Sequence, residues 1–359
     1  MKKILAIVIA LFIALFGVAC ASDKTTDNPV DGGGATDGNT TETEGPSNKT
    51  PLKVFAPDGA PAFALSGLME NSDCDIEVVA SNTIGSKITG GEADLVIAPT
   101  NAIVNLFNKG KDYRIIAGAT RGNLFVVGVG SGDGLTLADL VGSVVGVIGQ
   151  GQTPDLVLRY ILESNSVDYA IADAPVSGKV GIRYYADGPS VIKAVKAGQA
   201  AFGLLGEPAA TNAVATIEDA EMLDVQELYR QAEDGNSYGF PQAVLAVKYE
   251  TYTARKSDVD AFVTAYAAAE NFAEENPAKA VELVKAHMTE GVAASIQSLS
   301  AETARRCNIS GAALTQQDKA DINAYIQLIL DLEAEDVASG AIASSVGGKL
   351  PDDSIYIIG

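Results

Sequence analysis

Leu52-Lys53-Val54-Phe55-Ala56-Pro57-Asp58-Gly59-Ala60-Pro61 sets the grammar of this chain. The first six residues read as a short strand, Asp58-Gly59 turns it, and Pro61 suits the first turn of a helix, where a missing N–H is no loss. Phe63, Leu65, Leu68 and Met69 then recur at helical spacing. Working outward, the pattern repeats. Residues 76–80 lead through Ser81-Asn82-Thr83 into a helix, and residues 93–98 lead through Pro99-Thr100-Asn101 into residues 102–108. Residues 113–117 and 124–129 are further strands, both rich in apolar residues as a sheet covered on both faces would be. Strands alternating with helices mean βαβ crossovers, so the class is α/β with mostly parallel sheets.

After the punctuating stretch Gly130-Ser131-Gly132-Asp133-Gly134 the grammar restarts. A strand at 143–148 passes through Gly149-Gln150-Gly151-Gln152-Thr153-Pro154-Asp155 into a helix at 156–163. A strand at 181–185 passes through Asp187-Gly188-Pro189-Ser190 into a helix, and one at 201–205 passes through Gly206-Glu207-Pro208 into another. A last strand at 242–248 is followed mainly by helices. About 300 residues exceed one simple core. The reading is therefore two lobes, 51–134 plus 241–359 and 135–240, with the chain crossing between them twice.

The N-terminus carries an address. Met1-Lys2-Lys3 is a positive n-region, residues 4–16 are an apolar run shorter than the roughly 20 residues a membrane span needs, and Gly17-Val18-Ala19-Cys20 ends it like a lipobox. Residues 1–20 are read as a lipoprotein signal peptide, with acyl chains (palmitate among them) on Cys20 anchoring the protein without spanning the bilayer. Residues 21–50 are mostly Ser, Thr, Asp, Asn, Gly and Glu with scarcely a large apolar residue, too polar to offset their ordering entropy, and read as a disordered tether. The formal net charge of −21 is spread along the chain and argues against nucleic acid or an anionic membrane surface as partner. Beyond Cys20 stand Cys74 and Cys307, which in an oxidising exterior are either paired or unlinked. With no CxxC and no Cys/His cluster, neither a metal site nor a cofactor is expected.

The strand-to-helix junctions share one device, a Pro, Gly, Ser, Thr or Asn cluster where a strand ends and a helix begins. In open α/β sheets those junctions line one edge, where ligands bind, and helix N-termini offer unpaired N–H groups there. Helix capping demands the same residue types, so it is the repetition in both lobes that points to a cleft.

The lipobox, the tether, Leu52 to Pro61, Gly90-Gly91-Glu92-Ala93-Asp94-Leu95-Val96, Gly206-Glu207-Pro208-Ala209-Ala210-Thr211 and Lys349-Leu350-Pro351-Asp352-Asp353-Ser354-Ile355-Tyr356 resemble, in that order, substrate-binding proteins of ABC importers. The family in question includes nitrate, taurine, alkanesulfonate and thiamine-pyrimidine binders. The resemblance implies a type 2 periplasmic-binding-protein fold, two lobes joined by two hinge strands, acting as a monomer and presenting a captured small molecule to a permease and its ATPase. It places ligand contacts at Asp58, Gly59, Ala60, Asn82, Thr83, Thr100, Asn101 and Thr120 in one lobe. Gln152, Thr153, Asp187, Ser190 and Glu207 stand opposite. Gly206 departs from the pattern, since relatives commonly carry proline there.

Arg121 is the one cation near a predicted junction, whereas Asp58, Asp155, Asp187 and Glu207 are acids; burying a dianion beside them is costly, which favours a zwitterionic, amine-bearing or heteroaromatic ligand. Tyr184 or Tyr185 would stack on its ring. An enzyme is disfavoured: His287 is the single histidine, far from any junction, and no G-x-S-x-G or H-E-x-x-H occurs. Enzymes of the same fold in menaquinone or thiamine-precursor synthesis are intracellular, against the export signal, and a sensing lipoprotein remains the other alternative. Pro154 breaks the dinucleotide fingerprint at Gly149-Gln150-Gly151. Replacing Cys20→Ser is expected to move the protein from the membrane fraction to the soluble one; retention in washed membranes would refute the lipid anchor.

Overall fold

The computed structural model describes residues 50–359 apart from 133, 233–238, 291 and 293–297. The signal segment, Cys20 and the tether up to residue 49 lie outside the described residues. The first sheet contains β1 (Leu52–Pro57), β2 (Cys74–Val79), β3 (Leu95–Pro99), β4 (Tyr113–Arg121) and, much later, β11 (Pro241–Lys248). The second contains β5 (Leu124–Gly128), β6 (Val144–Ile148), β7 (Tyr169–Ile171), β8 (Val180–Tyr185), β9 (Phe202–Gly206) and β10 (Glu221–Asp224). Helices alternate with them: α1 (Ala60–Ala64), α2 (Ile84–Thr89), α3 (Thr100–Asn108), α4 (Leu137–Leu140), α5 (Thr153–Ser164), α6 (Gly188–Lys196), α7 (Ala209–Val214) and α8 (Val225–Gln231). After β11 come α9 (Tyr249–Ala254), α10 (Lys256–Ala268), α11 (Phe272–Glu275), α12 (Pro277–Ala286), α13 (Ala301–Arg306) and α14 (Gln316–Ala338).

The strand orders are β2-β1-β3-β11-β4 and β10-β5-β9-β6-β8-β7. In the first, Val54 of β1 sits opposite Ile76 and Leu95 in parallel pairs, while Leu245 of β11 opposes Ile97 and Ala117 with its strand reversed. In the second, β6, β7, β8 and β9 are parallel and β5 is reversed, with Val126 between Leu204 and Leu223. Each sheet thus holds one reversed strand, and it is the strand that the chain enters on arriving from the other sheet. This is the two-sheet, mostly parallel α/β architecture of the periplasmic-binding-protein fold.

The strand at 124–128, grouped with the first lobe by the sequence, pairs in the second sheet. The crossing falls at Gly122-Asn123, not at the glycine-rich stretch after residue 129. A continuously apolar strand looks alike in either sheet, so the punctuation at 130–134 drew the boundary to itself. A further segment runs beside β4 as an irregular edge: Ser310 N–H donates to the Ala119 carbonyl and Leu314 N–H to that of Ile116.

The two crossings are bound together. Asn123 N–H donates to Gln242 Oε1 at 3.1 Å, and Gln242 Nε2 donates back to Asn123 Oδ1 at 3.0 Å. Gly122 N–H donates to the Phe240 carbonyl, and Phe240, fully buried, stands in a run of rings from Tyr160 of α5 through Tyr229 of α8 to Tyr325 of α14. Burying each such ring contributes about 1.5–3 kcal/mol. Both crossings need glycine. A Cβ on Gly122 would stand 2.0 Å from Gln226 Oε1 and 2.2 Å from the Phe240 ring, and one on Gly239, whose φ is +84°, would stand 1.6 Å from Gln226 Nε2. Gly122→Ala is expected to cost about 1–3 kcal/mol through overpacking, read as a lowered midpoint in urea denaturation; an unchanged midpoint would show that Gln226 yields freely.

Candidate functional site

The parallel strands β1, β2 and β3 of the first sheet and β6, β8 and β9 of the second end at the junctions picked out in the sequence, and two contacts show that these edges face each other. Thr153, at the start of α5, donates its hydroxyl proton to Asn101 Oδ1 of α3 at 3.1 Å, both side chains being buried. Gly59, with φ +96°, lies close enough to the second sheet that a Cβ there would be 3.9 Å from the Glu207 carbonyl oxygen. Neighbouring Ala60 is buried at the start of α1. Around these contacts Asn82, Thr83, Gln152 and Asp187 are exposed and Ser190 is half-buried.

Several junction residues are already engaged within the protein. Thr100 donates its hydroxyl to the Pro241 carbonyl at 2.6 Å, tying α3 to the return crossing. Thr83 Oγ1 donates to the Ala80 carbonyl. Asp58 accepts from Ser81 N–H and Oγ–H, at 3.2 and 2.6 Å. Asp187 caps α6 by accepting from Ser190 N–H at 2.8 Å. Asp155, wholly buried, accepts from Gly151 N–H and from the Tyr184 hydroxyl, each at 2.8 Å. Burial holds the Asp155 carboxyl above its ordinary range and is only partly offset by those donors. Tyr184 is therefore a support for Asp155, and burial followed by that carboxylate pushes its phenol up. Tyr185 packs among Val191, Leu205 and Ile148 beneath the second sheet, with Arg183 over its ring.

Thr120 is 1 % exposed and its hydroxyl has no hydrogen-bond partner. It lines a cavity of about 20 Å³ with Val244, Leu314 and Ile322, under α14. That volume is enough for a water. Arg121 turns to α14 as well, meeting Asp318 at 2.8 Å and Asp321 at 3.5 Å.

The residue that sequence reasoning did not find is Arg306. Its Nε meets Glu207 Oε1 at 2.7 Å, its Nη2 donates to Thr211 Oγ1 at 2.8 Å, and its Nη1 meets Glu302 at 2.7 Å. Burial works against the Arg306 charge, and the bond and charge of Glu207 more than offset it, so its affinity for the proton rises. Glu207 also takes Thr211 N–H and Oγ–H. The pair spans 99 residues of sequence, and no local pattern announces it. With Asp155 and Glu207 both paired internally, the acids that favoured an amine-bearing ligand are not free to receive one.

Elsewhere, His287 closes α12, its Nδ1 on the Leu283 carbonyl at 2.8 Å. Cys74 and Cys307 are unlinked; burial, then Asp73 and Asp75, push the Cys74 thiol up to about 11, and burial pushes Cys307 further. Among the described residues no cluster of His, Cys, Asp and Glu is arranged for a metal, and no helix is long and apolar enough to cross a membrane.

The fold is that of ABC-transporter substrate-binding proteins. A solved structure described as an ABC transporter from Parabacteroides distasonis matches with a TM-score of 0.66 at 21 % identity, over 86 % of this chain and 99 % of that one. The ligand-binding component of an ABC-type import system from Staphylococcus aureus, with zinc bound, matches at 0.57 and 13 % identity, over 86 % and 98 %. The alkanesulfonate-binding protein SsuA from Xanthomonas axonopodis pv. citri, bound to MOPS, matches at 0.54 and 14 %, over 86 % and 98 %. No protein-family model matches the chain, and no curated protein matches its sequence. Arg306→Met is expected to destabilise the protein by about 3–5 kcal/mol, because it strands the buried Glu207 carboxylate. Adding Glu207→Gln should recover a large part of that loss, and calorimetry showing none recovered would dissolve the pair.

Proposed function

We propose that this chain is the extracytoplasmic solute-binding lipoprotein of an ABC importer, held to the cell membrane by lipid on Cys20, and that it captures a small organic molecule between two lobes for delivery to a permease. The observation that carries the reading is the meeting of the two junction edges at Asn101 and Thr153. A cleft whose opposite walls hydrogen-bond to one another is a cleft that closes. The lobes divide at the crossings, 122–123 and 239–240, and Asp58, Gly59, Ala60, Asn82, Thr83 and Asn101 face Gln152, Thr153, Asp187, Ser190 and Glu207. Thr100 and Glu207 serve the site by holding its walls, and Thr120 by packing behind them. The fold shared with importer binding proteins supports the same reading, as does the apolar N-terminal segment ending in Cys20. The protein acts by binding, as a monomer, without cofactor or catalysis.

The mechanism follows from two hinges and one cleft. A ligand that binds both walls favours the closed form by its differential affinity for it, and the permease then receives a closed surface. A thermal-shift screen of the full chain carrying Cys20→Ser, against sulfonates, amino acids, pyrimidines and nitrate, should give one class that raises the melting temperature. Small-angle scattering with that class should show an open fraction without ligand that collapses when it is added. Scattering curves identical with and without saturating ligand would refute capture by closure.

A further inference from the structure

Asp155 has two claimants for one oxygen. Its Oδ2 accepts from Gly151 N–H at 2.8 Å while Oδ1 is held by the Tyr184 hydroxyl. The same Oδ2 lies 3.9 Å from Arg159 Nη1, one turn further along α5. Arg159 is 4 % exposed, and its other nitrogens are used: Nε donates to the Tyr169 hydroxyl at 3.0 Å, and Nη2 meets Asp336 of α14 at 3.0 Å and the Leu332 carbonyl at 3.4 Å. Nη1 alone is buried without a hydrogen-bond partner. A buried guanidinium N–H left unpaired is costly, and a charge-assisted bond to carboxylate is among the stronger ones available. The carboxylate needs to move only about 1 Å to reach normal bonding distance.

We propose that Asp155 is a two-position positioning residue for the loop at 149–152, bonding either Gly151 N–H or Arg159 Nη1, and that its move to Arg159 releases the Gly151 N–H to an acceptor oxygen on the ligand. This rests on the cleft reading above. Gly151 is suited to it: φ is +71°, no atom stands within 4 Å of where a Cβ would be, and the next two residues are Gln152 and Thr153 at the cleft. Giving up the Gly151 bond is offset by satisfying Arg159, so the loop exchanges an internal partner for an external one at little cost. A carboxylate, sulfonate or phosphate oxygen on the ligand is what a freed backbone N–H donates to best. Asp336 sets the balance, because it draws Arg159 toward α14 and away from Asp155.

Hydrogen exchange of the Gly151 amide in the full chain carrying Cys20→Ser tests this with no ligand and no lobe motion, so failure of the capture model leaves the result readable. Asp336→Asn releases Arg159 toward Asp155 and should speed Gly151 exchange about tenfold, with the amides of Val157 to Ile161 unchanged. Tyr169→Phe, which removes another Arg159 partner, should act in the same direction. In an Arg159→Lys background, which keeps the charge and removes the fork, the Asp336→Asn effect should vanish. Wild-type exchange at Gly151 in both single variants, or equal acceleration throughout α5, would overturn the proposal.

Discussion

Everything in this molecule hangs on the reciprocal hydrogen bonds between Asn123 and Gln242. They fasten the outgoing and the returning passages of the chain side by side, 119 residues apart in sequence. Gly122 and Gly239 let those passages close around Gln226, and Phe240 carries the return into a core whose members come from both sheets. Glu207 N–H bonds to the Asn123 carbonyl and Asn123 Nδ2 to that of Cys307, so the β9–α7 junction and the end of α13 are fixed to the same point.

The sequence made the alternation of strand and helix legible because each apolar run ends in Gly, Pro, Asn or Ser, whose backbone preferences mark a turn wherever they fall. It made the facing edges legible for the same reason. Sheet membership was not legible. Leu124 to Gly128 is uniformly apolar, buried on both faces, and nothing in such a run tells which sheet receives it. Two strands of the second sheet passed unnoticed, Tyr169–Ile171 because three residues make no period and Glu221–Asp224 because acids bracket its two apolar residues. Arg306 was out of reach for a different reason: ion pairing is long-range, and a charged residue in a helix reads as solvated unless its partner is known.

The acids illustrate how net charge misleads about a site. The chain is strongly acidic, yet at the strand-to-helix junctions Asp58 and Asp187 accept hydrogen bonds from nearby serines and Glu207 lies against a guanidinium. Charge that serves solubility and charge that meets a ligand are separate populations. Among the described residues four buried carboxylates hold the protein itself together: Asp155 the loop before α5, Glu207 the first turn of α7, Glu333 the turn at Ser344-Ser345, and Asp321 the Arg121 side chain.

The reversed strands have a consequence for how the chain acquires its shape. β3 and β4 each need β11 as a neighbour, and β11 is made of residues more than a hundred positions downstream. The first sheet therefore cannot be completed until the whole second sheet has been synthesised, and pairings of such sequence separation close slowly. In a nascent chain of this topology the first sheet stays incomplete until late, while the second, contiguous from β5 to β10, waits for nothing downstream.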